Sequence, residues 1–165
     1  MLKVFCAVFC SLFFAGCGIV SFKSIPQNAE YREYKGIKIY SERIGRGEDD
    51  WKAFFEEIDL ANESFIGCVG TDGRKIARLK PIILVSEDLF LNGKKLFGLN
   101  DLKYIYLNKN RRYAKMLAHE WLHSYLYIYR GYLTGDPGHE DPLWQTCGLY
   151  SKTGNARFLV RQYSC

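Results

Sequence analysis

The stretch Asn110–Arg130, NRRYAKMLAHEWLHSYLYIYR, holds neither glycine nor proline, and its reading decides how the rest of the chain is understood. Leu117, Trp121, Leu122, Tyr125, Leu126, Ile128 and Tyr129 recur at helical spacing and go most of the way round the cylinder, as in a helix packed into a protein interior. Asn108 or Asn110 offers an N-cap, and Gly131 a stop. Into this apolar run the sequence sets His119, Glu120 and His123. Burying a polar group without a partner costs about 2–7 kcal/mol. The three therefore need something specific to satisfy them.

Side chains four apart on a helix stand one above the other, so His119 and His123 can offer two imidazole nitrogens to a single point. Zn²⁺ accepts such nitrogens at about 2.0–2.1 Å in tetrahedral surroundings. Glu120, rotated about 100° round the axis, lies beside such an ion and suits the role of general base towards a water bound to it. A third protein ligand is needed. The chain has three histidines in all, and the remaining one, His139, follows a turn-rich TGDPG loop (134–138) that can fold back towards the helix. Glu140, Asp136 and Asp141 compete with it, because a carboxylate completes some catalytic zinc sites. Tyr132 and Tyr150 are candidates for stabilising an oxyanion.

The segment HEWLHSYLYIYRGYLTGDPGHEDPLW (119–144) resembles the core of SprT-like zinc metalloproteases, a zincin family. The shared pattern is HExxH, an aromatic helix tail, a short loop, then a Gly-His pair followed by Pro and an aromatic, here Gly138-His139, Pro142 and Trp144. The resemblance covers residues 104–146 and implies zinc-dependent hydrolysis of peptide bonds, with Glu120 as the catalytic base and His119, His123 and His139 as metal ligands. Glu140-Asp141 separates the Gly-His pair from Pro142, and no zinc-ribbon tail follows. The metzincin pattern does not apply, since Leu126 and Tyr129 stand where its glycine and third histidine would be.

The expected fold class is α+β: a small zincin-like domain over residues 36–165, with a helix, a short mainly antiparallel sheet, then the HExxH-bearing helix. Trp51, Phe54, Phe55, Ile58 and Ala61 share one face of a helix of three to four turns starting near Asp49, with Asp49 or Asp50 as N-cap. Strands are expected in GIKIYSE (36–42), PIILVSE (81–87) and YIYLN (104–108), and LFLNGKKLFG (89–98) carries the Asn92-Gly93 signal of a hairpin. That hairpin is a candidate edge for holding an extended peptide by strand addition. Residues 17–35 read as a tether.

The chain opens MLKVFCAVFCSLFFAGC, with Lys3, an apolar run from Val4 to Ala15, and a small-residue site before Cys17, the form of a secretory signal over residues 1–16. Phe14-Ala15-Gly16-Cys17 resembles a bacterial lipobox. This implies lipid attachment at Cys17, a membrane partner through that anchor, and a place in the cell envelope on the periplasmic or extracellular side. Cys68, Cys147 and Cys165 then remain in the mature chain, and two of them can pair, although sequence does not choose which.

At 165 residues and 48% hydrophobic the chain suffices for one cored domain, and its net charge of +5 is spread rather than gathered into a basic stripe. No nucleic-acid partner is expected; a peptide or protein substrate in the envelope is. The alternatives are a zinc-binding envelope lipoprotein without catalysis, and a tethered interaction module.

Overall fold

The computed structural model describes residues 25–42, 47–91, 94–101, 103–108 and 113–149. The signal segment, Cys17, the Asn92-Gly93 turn, Asn110, Tyr150 and Cys165 lie outside these residues.

The central strands form where the sequence is most continuously apolar. β3 (Ile82–Val85) and β7 (Ile105–Asn108) are buried along their whole length and pair in parallel, Ile82 opposite Ile105 and Leu84 opposite Leu107. Alternate residues of both strands point to opposite faces. Ile82, Leu84, Ile105 and Leu107 join the main core with the helices, whereas Ile83, Val85 and Tyr106 meet Tyr40, Leu89 and Leu99 on the other side. Burial on both faces explains why these strands read as unbroken apolar runs.

On one flank β2 (Ile37–Ser41) pairs in parallel with β3, and β1 (Glu30–Tyr34) pairs antiparallel with β2. Lys35 (φ 51) and Gly36 (φ 80) make the tight turn between them, both in the left-handed conformation that a two-residue hairpin of this kind requires. The tether expected through residue 35 is thus corrected over its last part, where Glu30–Tyr34 is a strand. On the other flank β6 (Gly98–Asn100) pairs antiparallel with β7 and ends the five-stranded order β1-β2-β3-β7-β6. β4 (Leu89–Leu91) and β5 (Lys94–Leu96) form the expected hairpin as a separate two-stranded sheet.

The architecture is a small α+β domain, and its main sheet is mixed rather than mainly antiparallel. The cause is the crossover between β2 and β3. α1 (Glu48–Val69) and α2 (Asp72–Leu79) carry the chain back along the sheet, so the two strands run the same way. α1 is 22 residues long, more than the apolar spacing alone suggested. Gly47 precedes it without a side-chain cap, and Glu48, Asp49 and Asp50 fill its first turn, where the helix dipole favours negative charge. Its buried face, Trp51, Phe54, Ile58, Ala61 and Phe65, packs on α3 (Tyr113–Arg130); Phe54 meets the Tyr113 ring edge-on at 4.8 Å between centroids. α4 (Leu143–Thr146) is fastened to α1 by a disulfide between Cys68 and Cys147. Among the described residues no helix is long and apolar enough to cross a membrane.

Candidate metal centre

α3 presents His119 and His123 from one face, as their spacing requires, with ring centroids 4.9 Å apart. Past Gly131 (φ 74), which ends the helix, the chain turns back through the 134–138 loop and delivers His139 to the same place. One ligand atom from each of the three rings lies within 4.8 Å of the others, and His139 Nε2 is 3.3 Å from His119 Nε2. The three imidazoles together can hold a metal ion.

The far nitrogens are tied to backbone. His123 Nδ1 donates to the Gly135 carbonyl at 2.6 Å, and His119 Nδ1 faces the Leu149 carbonyl at 3.4 Å. A proton on Nδ1 leaves the Nε2 lone pair free, the usual device for fixing the tautomer of a ligating histidine. Gly135 can accept this bond only because it is glycine. A Cβ built there would fall 2.5 Å from the His123 carbonyl oxygen, and its φ of 70 suits glycine in any case. Burial pushes the His119 ring down to about 3, with His123 and His139 adding to the shift. Burial likewise lowers His123, to about 4, against the pull of the Gly135 carbonyl. His139 is also lowered by burial, opposed by Asp136. All three are therefore neutral near pH 7, as ligation demands.

His139 stands in the left-handed region at φ 55 and Asp136 at φ 58, conformations that are costly outside glycine and that need support. The support comes from Asp136 and Trp144. Asp136 Oδ2 accepts the Trp144 indole N–H at 2.7 Å and the Asp141 backbone N–H at 2.8 Å, while the Asp136 carbonyl accepts the His139 N–H at 3.0 Å. Burial works against the Asp136 charge, but the N–H groups of Asp141, Glu140 and Trp144 outweigh it and hold its carboxyl below the ordinary value. The fully buried Trp144 ring backs the cluster, 4.7, 4.6 and 4.4 Å from the centroids of His119, His123 and His139.

The competing carboxylates are therefore placed elsewhere. Asp136 and Asp141 are buried in the loop's own hydrogen bonding, Asp141 Oδ1 accepting the Leu143 N–H at 2.9 Å, and Glu140 is exposed with its side chain folded against Gly138. Burial raises the Tyr132 hydroxyl, and nearby Asp141 and Asp136 raise it further, so Tyr132 faces that acidic loop.

Glu120 is buried, 4% exposed, on the side of α3 that meets β6. Burial pushes its carboxyl up to about 8, against the opposing charge of Lys80. Gly98 of β6 admits it: a Cβ there would fall 2.8 Å from Glu120 Oε1 and 2.7 Å from Met116 Cγ. Two positions on, Asn100 Nδ2 donates to the Glu120 carbonyl and, at 2.8 Å, to Ser124 Oγ, while Lys80 Nζ donates to Asn100 Oδ1 at 2.5 Å and to the Asp101 carbonyl. Lys80 and Asn100 have no sign in the sequence, and Gly98 enters there only as the last residue of the hairpin stretch. That glycine is the one local sign of the contact, since a side chain there would obstruct a close approach.

No protein-family model, curated protein or solved structure matches the chain.

Proposed function

We propose that the chain is a zinc-dependent peptidase in which His119, His123 and His139 hold the ion and Glu120 is the general base. The observation that carries this reading is the separation of His119 Nε2 and His139 Nε2, 3.3 Å. Two nitrogens bound to zinc at 2.0–2.1 Å with a tetrahedral angle between them stand about 3.3 Å apart. Two imidazole lone pairs at that distance repel unless a proton or cation lies between them. A catalytic zinc site takes three protein donors and a closed structural one four; the described residues bring three imidazoles together, the number the catalytic reading needs.

A zinc ion held there supplies a water acidified towards neutrality and a Lewis acid for the scissile carbonyl. Glu120, as the carboxylate, takes the proton and returns it to the leaving amine. β6 ends the main sheet beside Glu120, so an extended peptide pairing with that edge would pass the site. This moves the candidate binding edge from the β4–β5 hairpin to residues 98–100.

The Cys68–Cys147 bond fits an oxidising compartment, and with the signal-like opening it supports an envelope location with lipid on Cys17.

The deciding test is Glu120→Gln, assayed on a peptide library with zinc content measured in parallel. The expected result is at least a ~100-fold loss of turnover with zinc retained. Equal cleavage by variant and wild type would refute the assignment of the base.

A further inference from the structure

A second cleft, of about 230 Å³, opens between the β1–β2 turn, α1 and α2, and is lined by none of the three histidines. Its apolar part is Ile37, Ile58 and Ala77, and its rim carries Lys35, Arg74 and Arg78. Against these three cations the cleft has the single carboxylate of Asp59, which is already engaged by Lys35 Nζ at 2.6 Å and by the Tyr34 hydroxyl at 2.8 Å. No described carboxylate lies within ion-pair distance of Arg74 or Arg78, whereas Lys75 between them pairs with Asp72 at 3.1 Å. Arg74 and Arg78 sit four apart on α2, so two like charges share one helix face, an arrangement that opposes the helix unless an anion offsets it.

The cleft is shaped around one of these side chains. Arg78 lies across Gly36, close enough that a Cβ at Gly36 would fall 3.3 Å from both its Cδ and its Nε. The left-handed turn that carries Lys35 thus provides the glycine that lets Arg78 lie close. Asn62 adds an amide on the α1 side.

We infer that this cleft binds a small phosphate-bearing anion. Two guanidiniums, each with donors in a fixed fork, together with the Asn62 amide, present more donors than the two oxygens of a carboxylate absorb, and they match the several oxygens of a phosphate. The volume suits a phosphate or a short phosphate ester rather than a larger ligand. The ester is either a free solute or the headgroup of a membrane lipid; the chemistry is shared. This inference is independent of the metal site.

The test uses the full chain at low ionic strength, carrying Cys17→Ser throughout so that no acyl anchor floats it. Calorimetric titration with inorganic phosphate, glycerol phosphate and acetate forms one arm; flotation with phosphatidylglycerol or phosphatidylcholine vesicles forms the other. The expected result is saturable one-site binding of a phosphate species, at least tenfold weaker in the Arg74→Gln/Arg78→Gln double variant and unchanged in Lys75→Gln. Zinc content should be the same in all three proteins, which separates failure here from failure of the metal assignment. Loss of binding by the double variant in titration identifies a free ester, and loss on phosphatidylglycerol vesicles alone identifies a headgroup. Absence of saturable binding in both arms, equal weakening by Lys75→Gln, or acetate binding as tight as phosphate would each overturn the inference.

Discussion

Trp144 Nε1 donates to Asp136 Oδ2 at 2.7 Å, and this buried bond ties the loop that carries His139 to the helix that backs all three imidazoles. The Asp136 carbonyl also accepts the His139 backbone N–H at 3.0 Å. Its work is to hold a loop in which two residues other than glycine adopt positive φ.

Asp136→Asn keeps one acceptor oxygen, enough for the Trp144 and Asp141 N–H groups that share Oδ2, but loses the charge and the second acceptor of a carboxylate that the Glu140 N–H also meets. Leaving a buried donor unmet costs about 1–3 kcal/mol. The variant should unfold at lower temperature and hold zinc more weakly, as read by thermal unfolding and competition with a chelator. Unchanged affinity would show that His139 needs no such support.

The disulfide acts on the same part of the molecule from the other side. Cys68 and Cys147 are 79 residues apart in sequence, and a closure of that size stabilises by about 4.5 kcal/mol on chain entropy alone. The bond also fixes the segment holding Trp144 and the Leu149 carbonyl that faces His119. Cys68→Ser should therefore lower both the melting temperature and zinc affinity, and reductant should do the same to the wild type but not to the variant. Loss of stability with zinc affinity untouched would separate the staple from the site.

In metal-free protein, pH should act through two opposed sets of groups. His119 and His123 are depressed from 6.5 to about 3 and about 4, so the stability they contribute is whole above pH 6.5 and is lost as pH falls towards those folded values. Glu120 is raised from 4.5 to about 8, so its contribution is whole below pH 4.5 and is lost as pH rises towards 8. Two histidines outweigh one carboxyl between those limits. Stability should peak near pH 6.5 and decline towards 8, and Glu120→Gln should abolish the alkaline decline alone. Denaturant titration across pH 4.5–8.5 reads both limbs; an alkaline limb that survives in Glu120→Gln would contradict the assignment of the buried carboxyl.

How much of this was legible in sequence follows from which interactions are local. The spacing of His119 and His123 is a helical fact, and α3 has the Gly- and Pro-free apolar run that makes a buried helix. β3 and β7 announce themselves as apolar runs, and His139 follows from a short histidine inventory. The unread elements are those with weak local signals. β1 is EYREY, half exposed and charged, and stands only because β2 pairs with it. β6 is three residues beginning with glycine, and α2 opens on Asp-Gly with mostly polar residues. The parallel pairing of β2 with β3, the choice of Cys147 for Cys68, and the reach of Asn100 to α3 are contacts between distant segments. No window of sequence contains them.

The most direct test of the central claim is zinc per chain, measured on wild type and on His119→Ala, His123→Ala and His139→Ala after equilibration with a zinc buffer. Three imidazoles sharing one ion predict one zinc per wild-type chain and a large loss of occupancy in every single variant. A wild type without zinc, or a His139→Ala variant that keeps its full complement, would contradict the account.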